Sequence, residues 1–492
     1  MEIYPPTVAY LAPRKKWSEE REKSMYLSSN YTENVRLISS LLRADESFDI
    51  IERRLAVSDR QICFFYIDGF VKDGELQRVM QTFLSLKEIG DAEYTERRLP
   101  YVEVDRECDV ERLVTAVLSG QTLLLAETFG ADALLIDLRT YPARDTQEPD
   151  SDRVMQGSHD GFVETMVVNT ALIRRRIRDP RLTMHHMSLG GASRTDVVVC
   201  YMDGVADEKT VKGLCKRLAE IKPESLTLGF QSLAESLSRR GWLNPFPKIR
   251  TTERPDTAAA QLVEGSVLVI CDTSPQVMVL PTSIFDYLQQ TDDYYFPPLT
   301  GTYLRIVRTL ILITSAFITP LWYLYLENAE RLPDYLLFLV PDSPGALPIL
   351  LQLFLVELAL DGLKIASMNT PDMLSNSLSI VGALILGDFA VEVGWLSADV
   401  ILYMAVVAIA NFAQQNHELG YAFKFIRVST LIFTAILGVW GFALGVVLSC
   451  VLVATNRTLD GGRYLYPLIP FNGRAMCRLL FRTKKRDFEE KN

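Results

Sequence analysis

Histidine is scarce in this chain of 492 residues, four in all, and the seven cysteines are scattered with no Cys-x-x-Cys among them. An odd, dispersed set of thiols argues against a disulfide framework or a zinc site and for reduced cysteines. His185 and His186 form an adjacent pair, read here as part of a polar loop, a poor spacing for holding one metal ion. Phosphate-cradling GxxxxGK[ST] and GxGxxG runs are missing, as are a GxSxG elbow and an HExxH helix. Without them an enzyme has no chemistry to stand on, and neither a cofactor nor a metal is expected. The net charge of -10, with no concentrated basic face, argues against a nucleic-acid partner. The opening "MEIYPPTVAYLAPRKKW" lacks an apolar core, so no cleaved signal is expected and the sequons at Asn30 and Asn456 carry no meaning.

What is present changes character near residue 296. Before it, charges are dense and apolar runs short, as in soluble α/β domains. After it come runs of membrane-spanning length: residues 306–326, 377–412 (long enough for two) and 428–454. A bilayer core of about 30 Å asks for roughly 20 apolar residues per helix, which predicts about four spans. Arg474, Arg478, Arg482, Lys484, Lys485 and Arg486 follow the last run, and Arg305 and Arg308 open the first. The positive-inside rule then places both ends on the cytosolic side.

The soluble half is duplicated. "ICFFYIDGFVKDGELQRVMQTFLSL" (62–86) and "VVVCYMDGVADEKTVKGLCKRLAEI" (197–221) share an apolar strand, a Tyr-x-Asp-Gly turn and an amphipathic helix, with Tyr66, Asp68 and Gly69 matching Tyr201, Asp203 and Gly204. Each is followed by a Gly-led apolar stretch readable as a hairpin, at 120–138 and 265–280. Two related α/β subdomains follow. Asp68 and Asp203 are strand-end carboxylates that could be catalytic, but an Asx turn or helix N-cap explains them better.

Between the repeats lies "QGSHDGFVETMVVNTALIRRRIRDP" (156–180). Phe162, Met166, Thr170, Ile173 and Ile177 recur at helical spacing, with Ser158 as N-cap, Asp160 in the first turn and Asp179-Pro180 as the stop. Its arginines suit the C-terminal end of the helix dipole. The expectation is a joint between the two subdomains.

In the apolar half, Glu357, Asp361 and Lys364 fall on one face of a helix within 348–371, and Asp388 and Glu392 stand four apart in the next run. Ionisable groups at membrane depth are costly and usually face a bundle interior or a water path, so these four carboxylates are candidate ion-path residues. The alternative is an interfacial helix with a wet charged face for the first, and a position near the membrane surface, by Gly394 and Trp395, for the second.

The stretch from Arg139 to Leu182 resembles the signature of the A subunits of GerA-family spore germinant receptors. The matching positions are Arg144, Glu148, Pro149, Gly157, Gly161, Phe162, Glu164, Asn169, Arg174, Arg175 and Arg176. "FPPLTGTYLRIVR", "IVGALILGDFAVEVGWLSADVILYMAVVAIANF" and "LDGGRYLYPLIPFN" also resemble family segments, and "SFDIIERRLAVSDRQICFFYIDGFVKD" (47–73) is most similar to its SpoVAF branch. Two departures, Gln156-Gly157-Ser158 for Arg-Gly-Pro and Asp361-Gly-Leu-Lys-Ile-Ala for Glu-x-Leu-Arg-Glu-Ala, point away from a nutrient receptor. The resemblance implies a subunit of an oligomeric, pentameric ion channel of the endospore inner membrane. It would release monovalent cations together with a small multi-pass membrane partner and germinant-receptor components. A receptor A subunit, a membrane scaffold and a small-solute transporter are the alternatives. The expected organisation is a segment 1–40, subdomains 41–155 and 182–295 around a linker helix 156–181, a transmembrane domain 296–456, and a basic tail 457–492.

Overall fold

Along β2 (Arg60–Ile67) the side chains of Ile62 and Phe64 pack on one face of a sheet and those of Cys63, Phe65 and Ile67 on the other, and all are buried. A strand apolar on both faces needs a helical layer on each side, and the sequence supplies both. The structure, a computed structural model, describes residues 26–86, 88–99, 101, 103–141, 157–221, 229–237, 244–290, 292–331, 333–369, 390–414, 416–459 and 461–481. They fall into two compact units. One lies within Met1–Arg240, Ile249–Thr282 and Thr458–Gly462, the other within Gly241–Lys248, Ser283–Arg457 and Arg463–Asn492.

In the first unit the duplication is complete, element for element. The first copy runs α1 (Tyr31–Leu42), β1 (Ile50–Val57), β2, α2 (Asp73–Ser85), α3 (Ala92–Arg98), β3 (Val104–Glu107), α4 (Val110–Leu118), β4 (Thr122–Ala126) and β5 (Ala133–Ile136). The second runs α5 (Met166–Arg176), β6 (Leu182–Leu189), β7 (Thr195–Met202), α6 (Glu208–Glu220), α7 (Phe230–Leu237), β8 (Arg250–Thr252), α8 (Pro255–Val263), β9 (Val267–Cys271) and β10 (Val277–Leu280). Each copy closes one five-stranded antiparallel sheet, ordered β1-β2-β4-β5-β3 and β6-β7-β9-β10-β8. The two Gly-led stretches are the antiparallel hairpins β4/β5 and β9/β10. Val35, Ile38 and Leu42 of α1 join Leu113 and Val117 of α4 on one face of the first sheet, while Leu76, Val79 and Phe83 of α2 cover the other. In the second sheet Leu172 of α5 and Leu262 of α8 take one face, and Leu214 of α6 and Leu233 of α7 the other. Gly69 and Gly204 sit at φ +79° and +71° at the same turn of the two copies. That left-handed backbone favours glycine, which explains the repeated Asp-Gly.

Several local expectations differ. α5 begins at Met166 behind Thr165, not at Ser158, and it is buried on nearly every side rather than amphipathic. Its place in the second copy is that of α1 in the first, and a boundary at residue 41 would cut α1 itself. Asp68 and Asp203 do not cap the following helices, whose N-cap positions are Lys72 and Asp207. Their backbone N–H groups instead donate to the carbonyls of Asp49 at 2.8 Å and Arg181 at 2.9 Å, the same closure twice. His185 and His186 lie in strand β6, exposed, not in a loop.

The second unit opens at Ser283, ahead of the composition change, because Ile284, Tyr287 and Leu288 bury against Leu312 and Ala316. Its helices of eight residues or more, among the described residues, are α9 (Pro298–Glu327), α10 (Ile349–Asn369), α11 (Ala398–Phe412), α12 (His417–Leu437), α13 (Val439–Thr455) and α14 (Gly473–Leu480). By length and composition α9 and α12 can cross a membrane, and α11 and α13 are shorter apolar helices. The apolar run 428–454 is not one span. Gly438, at φ +57°, ends α12 and turns the chain back, and Gly441 and Gly445 of α13 then lie against Phe433 and Thr430.

Candidate functional site

Four residues on one turn each of α10 and α12 build the site. Glu357 and Asp361 stand four apart on α10, and Lys424 and Arg427 three apart on α12, so each pair presents its charges along one side of its helix. Arg427 Nη2 donates to Glu357 Oε1 at 2.6 Å, and Lys424 Nζ lies 3.4 Å from the same oxygen while pairing closely with Asp361. From Nη1, Arg427 also donates to the carbonyl of Ser315 in α9 at 3.0 Å, so the guanidinium joins three helices. The Arg427 side chain is 1% exposed and that of Glu357 12%. Two carboxylates face two cations, so the buried charges are paired, with Arg427 Nε left buried and without a hydrogen-bond partner. Beside them Lys364 places its ammonium 4.8 Å from the centre of the Tyr421 ring.

Of the other two carboxylates, the described one is not brought to this seam. Asp388 lies outside the described residues, and Glu392 is exposed at the end of a short turn of helix before Gly394. Reading the last span as beginning at Val428 put Lys424 and Arg427 just outside it. In the structure α12 starts at His417, which draws both cations into the helical bundle. Gln352 was also missed. Fully buried, it donates to the carbonyls of Pro344 and Leu347 and accepts from Ser397 N–H at 2.8 Å, tying α10 to the N-cap of α11.

At the N-terminal end of α9, Arg305 and Arg308 are not free positive charges. Buried Asp293 accepts from Arg305 Nε at 3.2 Å and from Arg308 Nη2 at 3.1 Å, and Arg308 Nη1 donates to the Leu288 carbonyl at 2.7 Å. Only the sequence spacing of Asp293 from the two arginines, too long for one helix face, hid this cluster.

The described signature residues gather in the first unit, around α5. Arg174, wholly buried, grips Asp49 through Nε to Oδ2 at 2.7 Å and Nη2 to Oδ1 at 3.1 Å, and donates to the Leu182 carbonyl at 2.9 Å. Asp49 precedes β1 and Leu182 opens β6, so one fork holds both copies of the fold. Arg43 adds a second tie, to Asp203, at 2.9 Å. Arg175 sits 4.7 Å from the centre of the Tyr141 ring, and Arg176 donates to Asp160 at 2.6 Å. Each arginine of the run thus has a partner within the protein. Asn169 closes the preceding loop by accepting from Val163 N–H at 2.8 Å and donating to its carbonyl at 2.6 Å. Gly161 and Phe162 are buried, while Gly157 and the Glu164 side chain are exposed. Arg144, Glu148 and Pro149 lie outside the described residues.

The electrostatics of this joint follow from its packing. Burial works to raise the Asp160 carboxyl, but hydrogen bonds from Arg176 and Ser158 outweigh it and hold the group below the usual range. Burial pushes Asp68 up, and the thiols of Cys63 and Cys271 up to about 12 and about 11. Among the described residues no group of three or more His, Cys, Asp or Glu side chains is placed to hold a metal ion.

The family model described as Bacillus/Clostridium GerA spore germination protein matches residues 37–492. Stage V sporulation protein AF of Bacillus subtilis (strain 168) is 35% identical over 472 residues, covering 95% of each chain. Spore germination protein KA of the same organism is 28% identical over 94% of this chain and 86% of its own. Among solved structures, the N-terminal domain of the A subunit of the Bacillus megaterium spore germinant receptor GerK3 aligns at 24% identity with a TM-score of 0.38. It covers 52% of this chain and 97% of that one.

Proposed function

The chain belongs to the GerA family of spore germination proteins, and from that premise we propose that it is a subunit of an oligomeric ion channel of the spore inner membrane. In this reading it contributes to monovalent cation release during germination, with or downstream of nutrient germinant receptors and beside a small multi-pass partner. The observation that carries the proposal is the seam of Glu357, Asp361, Lys424 and Arg427 inside apolar helices. Charge is kept at such depth where it faces a bundle interior or an aqueous path. Parting the pairs would hand two carboxylates to a passing cation, and a symmetric ring of subunits would present them several times over. The basic tail and the arginines that open α9 favour the cytosolic, core side for both ends.

The test is potassium efflux from a vegetative host expressing the full chain, alone and with the small partner, read by a potential-sensitive dye and cell ion content. Efflux above an equally expressed control, altered by Glu357→Gln with Asp361→Asn, supports the channel. A membrane-inserted, oligomeric chain giving no efflux in either setting favours a scaffold. That second reading draws on the pairing itself, since a charge-balanced seam also locks helices together. A receptor A subunit would instead require a nutrient trigger.

A further inference from the structure

We propose that α14, with residues 468–472 before it and Phe481 after it, forms a docking surface for anionic phospholipid headgroups of the bilayer that α9 crosses, a proposal that rests on the membrane reading of α9. The argument starts from length. α9 has thirty residues, and at about 1.5 Å per residue it spans about 45 Å, well beyond a hydrocarbon core of about 30 Å. Its uncharged stretch lies between Arg308 and Glu327, so Arg305 and the turn before it stand at headgroup height. The Leu479 carbonyl of α14 accepts from Arg305 Nη1 at 3.1 Å, which pins α14 at that same height.

Two features of the segment suit that depth. Phe471 is 74% exposed and Phe481 52%, with Leu468 and Ile469 about two-fifths exposed, large apolar side chains for which water is a poor neighbour. Arg474 and Arg478 stand one turn apart on α14, whose sequence from Gly473 to Leu480 holds no acidic residue. Exposed apolar side chains on a short segment whose helix carries arginine and no acid are what an interfacial segment presents to an acidic leaflet. Two ties fix the helix independently of lipid: Asn472 caps it by accepting from Ala475 N–H at 3.2 Å, and donates to the Tyr466 hydroxyl at 3.1 Å.

The experiment adds a reporter, Phe471→Trp, to the full chain in bilayers of equal phosphatidylcholine and phosphatidylglycerol, with acyl-chain bromine on one lipid or the other. The unmodified chain, whose native tryptophans include exposed Trp440 on α13, supplies both the baseline and the control for insertion. The added tryptophan should be quenched roughly twofold more by brominated phosphatidylglycerol than by brominated phosphatidylcholine. That preference should vanish in Arg474→Gln/Arg478→Gln, and also, without those changes, in about 1 M salt, where the screening length falls to about 3 Å. Equal quenching by both lipids overturns the proposal. So does an unquenched reporter in a chain whose native tryptophans are quenched, or loss of the preference to inorganic phosphate beyond the effect of chloride at equal ionic strength. If the native tryptophans are not quenched at all, the membrane reading itself falls, and this proposal with it.

Discussion

Arg427 Nη2 lies 2.6 Å from Glu357 Oε1 across α12 and α10, and the other arm of the same guanidinium holds the Ser315 carbonyl of α9 at 3.0 Å. An arginine this deep is kept because leaving it unpaired would be costlier than any gain from moving it, so the three helices are bound to one another through one charge. Breaking the pair and replacing it are therefore different experiments.

Arg427→Met alone strands Glu357 with only Lys424 nearby, and is expected to destabilise the fold by about 3–5 kcal/mol. Glu357→Leu combined with Arg427→Met removes both charges and should recover most of that loss. Thermal unfolding of the purified chain in detergent measures both. A double variant no more stable than the single one would mean that the stranded charge of Glu357 is not what destabilises Arg427→Met.

At the α12/α13 turn, a Cβ built on Gly441 would collide with the Phe433 carbonyl, and one on Gly445 would lie 2.7 Å from Thr430 Cγ2. Small residues at this spacing let helices approach closely in an apolar medium. Gly441→Ala should push the two helices apart and lower the melting temperature, whereas Gly420→Ala on α12, where nothing crowds the position, should be neutral or slightly stabilising. Equal effects at both sites would show that helix propensity, not packing, sets the result.

The duplication was legible because period-two apolar strands and Asp-Gly turns are local signals, and the same strand order in both sheets follows from them. A helix between the two repeated stretches was legible; that α5 packs as the first helix of the second copy, with Arg174 reaching back to Asp49, was not. Nor was the start of α5, because Phe162 continues the helical spacing of apolar residues while its backbone lies outside the helix and its N–H donates to the Glu253 carbonyl at 2.8 Å. Hydropathy found the apolar segments but not the Gly438 turn, since a helical hairpin and a single span have the same composition. Glu357 and Asp361 stood out as charges among apolar residues. Their partners did not, because Lys424 and Arg427 sit in a polar stretch of α12 and only packing shows which way they face.

Burial, not pairing, governs the thiols of the first unit. Cys63, Cys200 and Cys271 are buried and their pKa values are raised by burial, so at pH 7 a maleimide should leave all three unlabelled until denaturant is added. Exposed Cys477 should react in the native chain. Mass spectrometry of labelled peptides distinguishes the sets, and native labelling of Cys63 would mean the first sheet opens readily.

Arg174→Met would leave buried Asp49 without its guanidinium partner, again a loss of about 3–5 kcal/mol. Arg174→Lys keeps the charge but loses the fork that reaches Asp49 and Leu182 together. Hydrogen exchange should then speed up at β1 and β6 in both variants, more in the methionine one. Acceleration confined to one sheet would deny that this arginine holds the two copies.

Asp160 gives the first unit a pH dependence of definite sign. Its carboxyl is held below the usual range in the fold by Arg176 and Ser158 against the opposing effect of burial, while in the unfolded chain it titrates near about 3.9. A group depressed by folding binds fewer protons folded than unfolded, so its stabilisation is complete above the unfolded pKa and is lost as pH falls through the folded one. Asp68, raised by burial, works the other way: its cost is present when it is ionised and is relieved by acid. Asp160→Asn should therefore lower the stability at pH 7, and the gap to the unaltered chain should narrow as pH falls below about 3.9. Asp68→Asn should instead raise the stability at pH 7, an excess that shrinks in acid as Asp68 of the unaltered chain takes up its proton. Denaturant titrations across that range decide it, and a constant gap for Asp160→Asn would mean that Arg176 is held by the shape of its site and not by the charge of its partner.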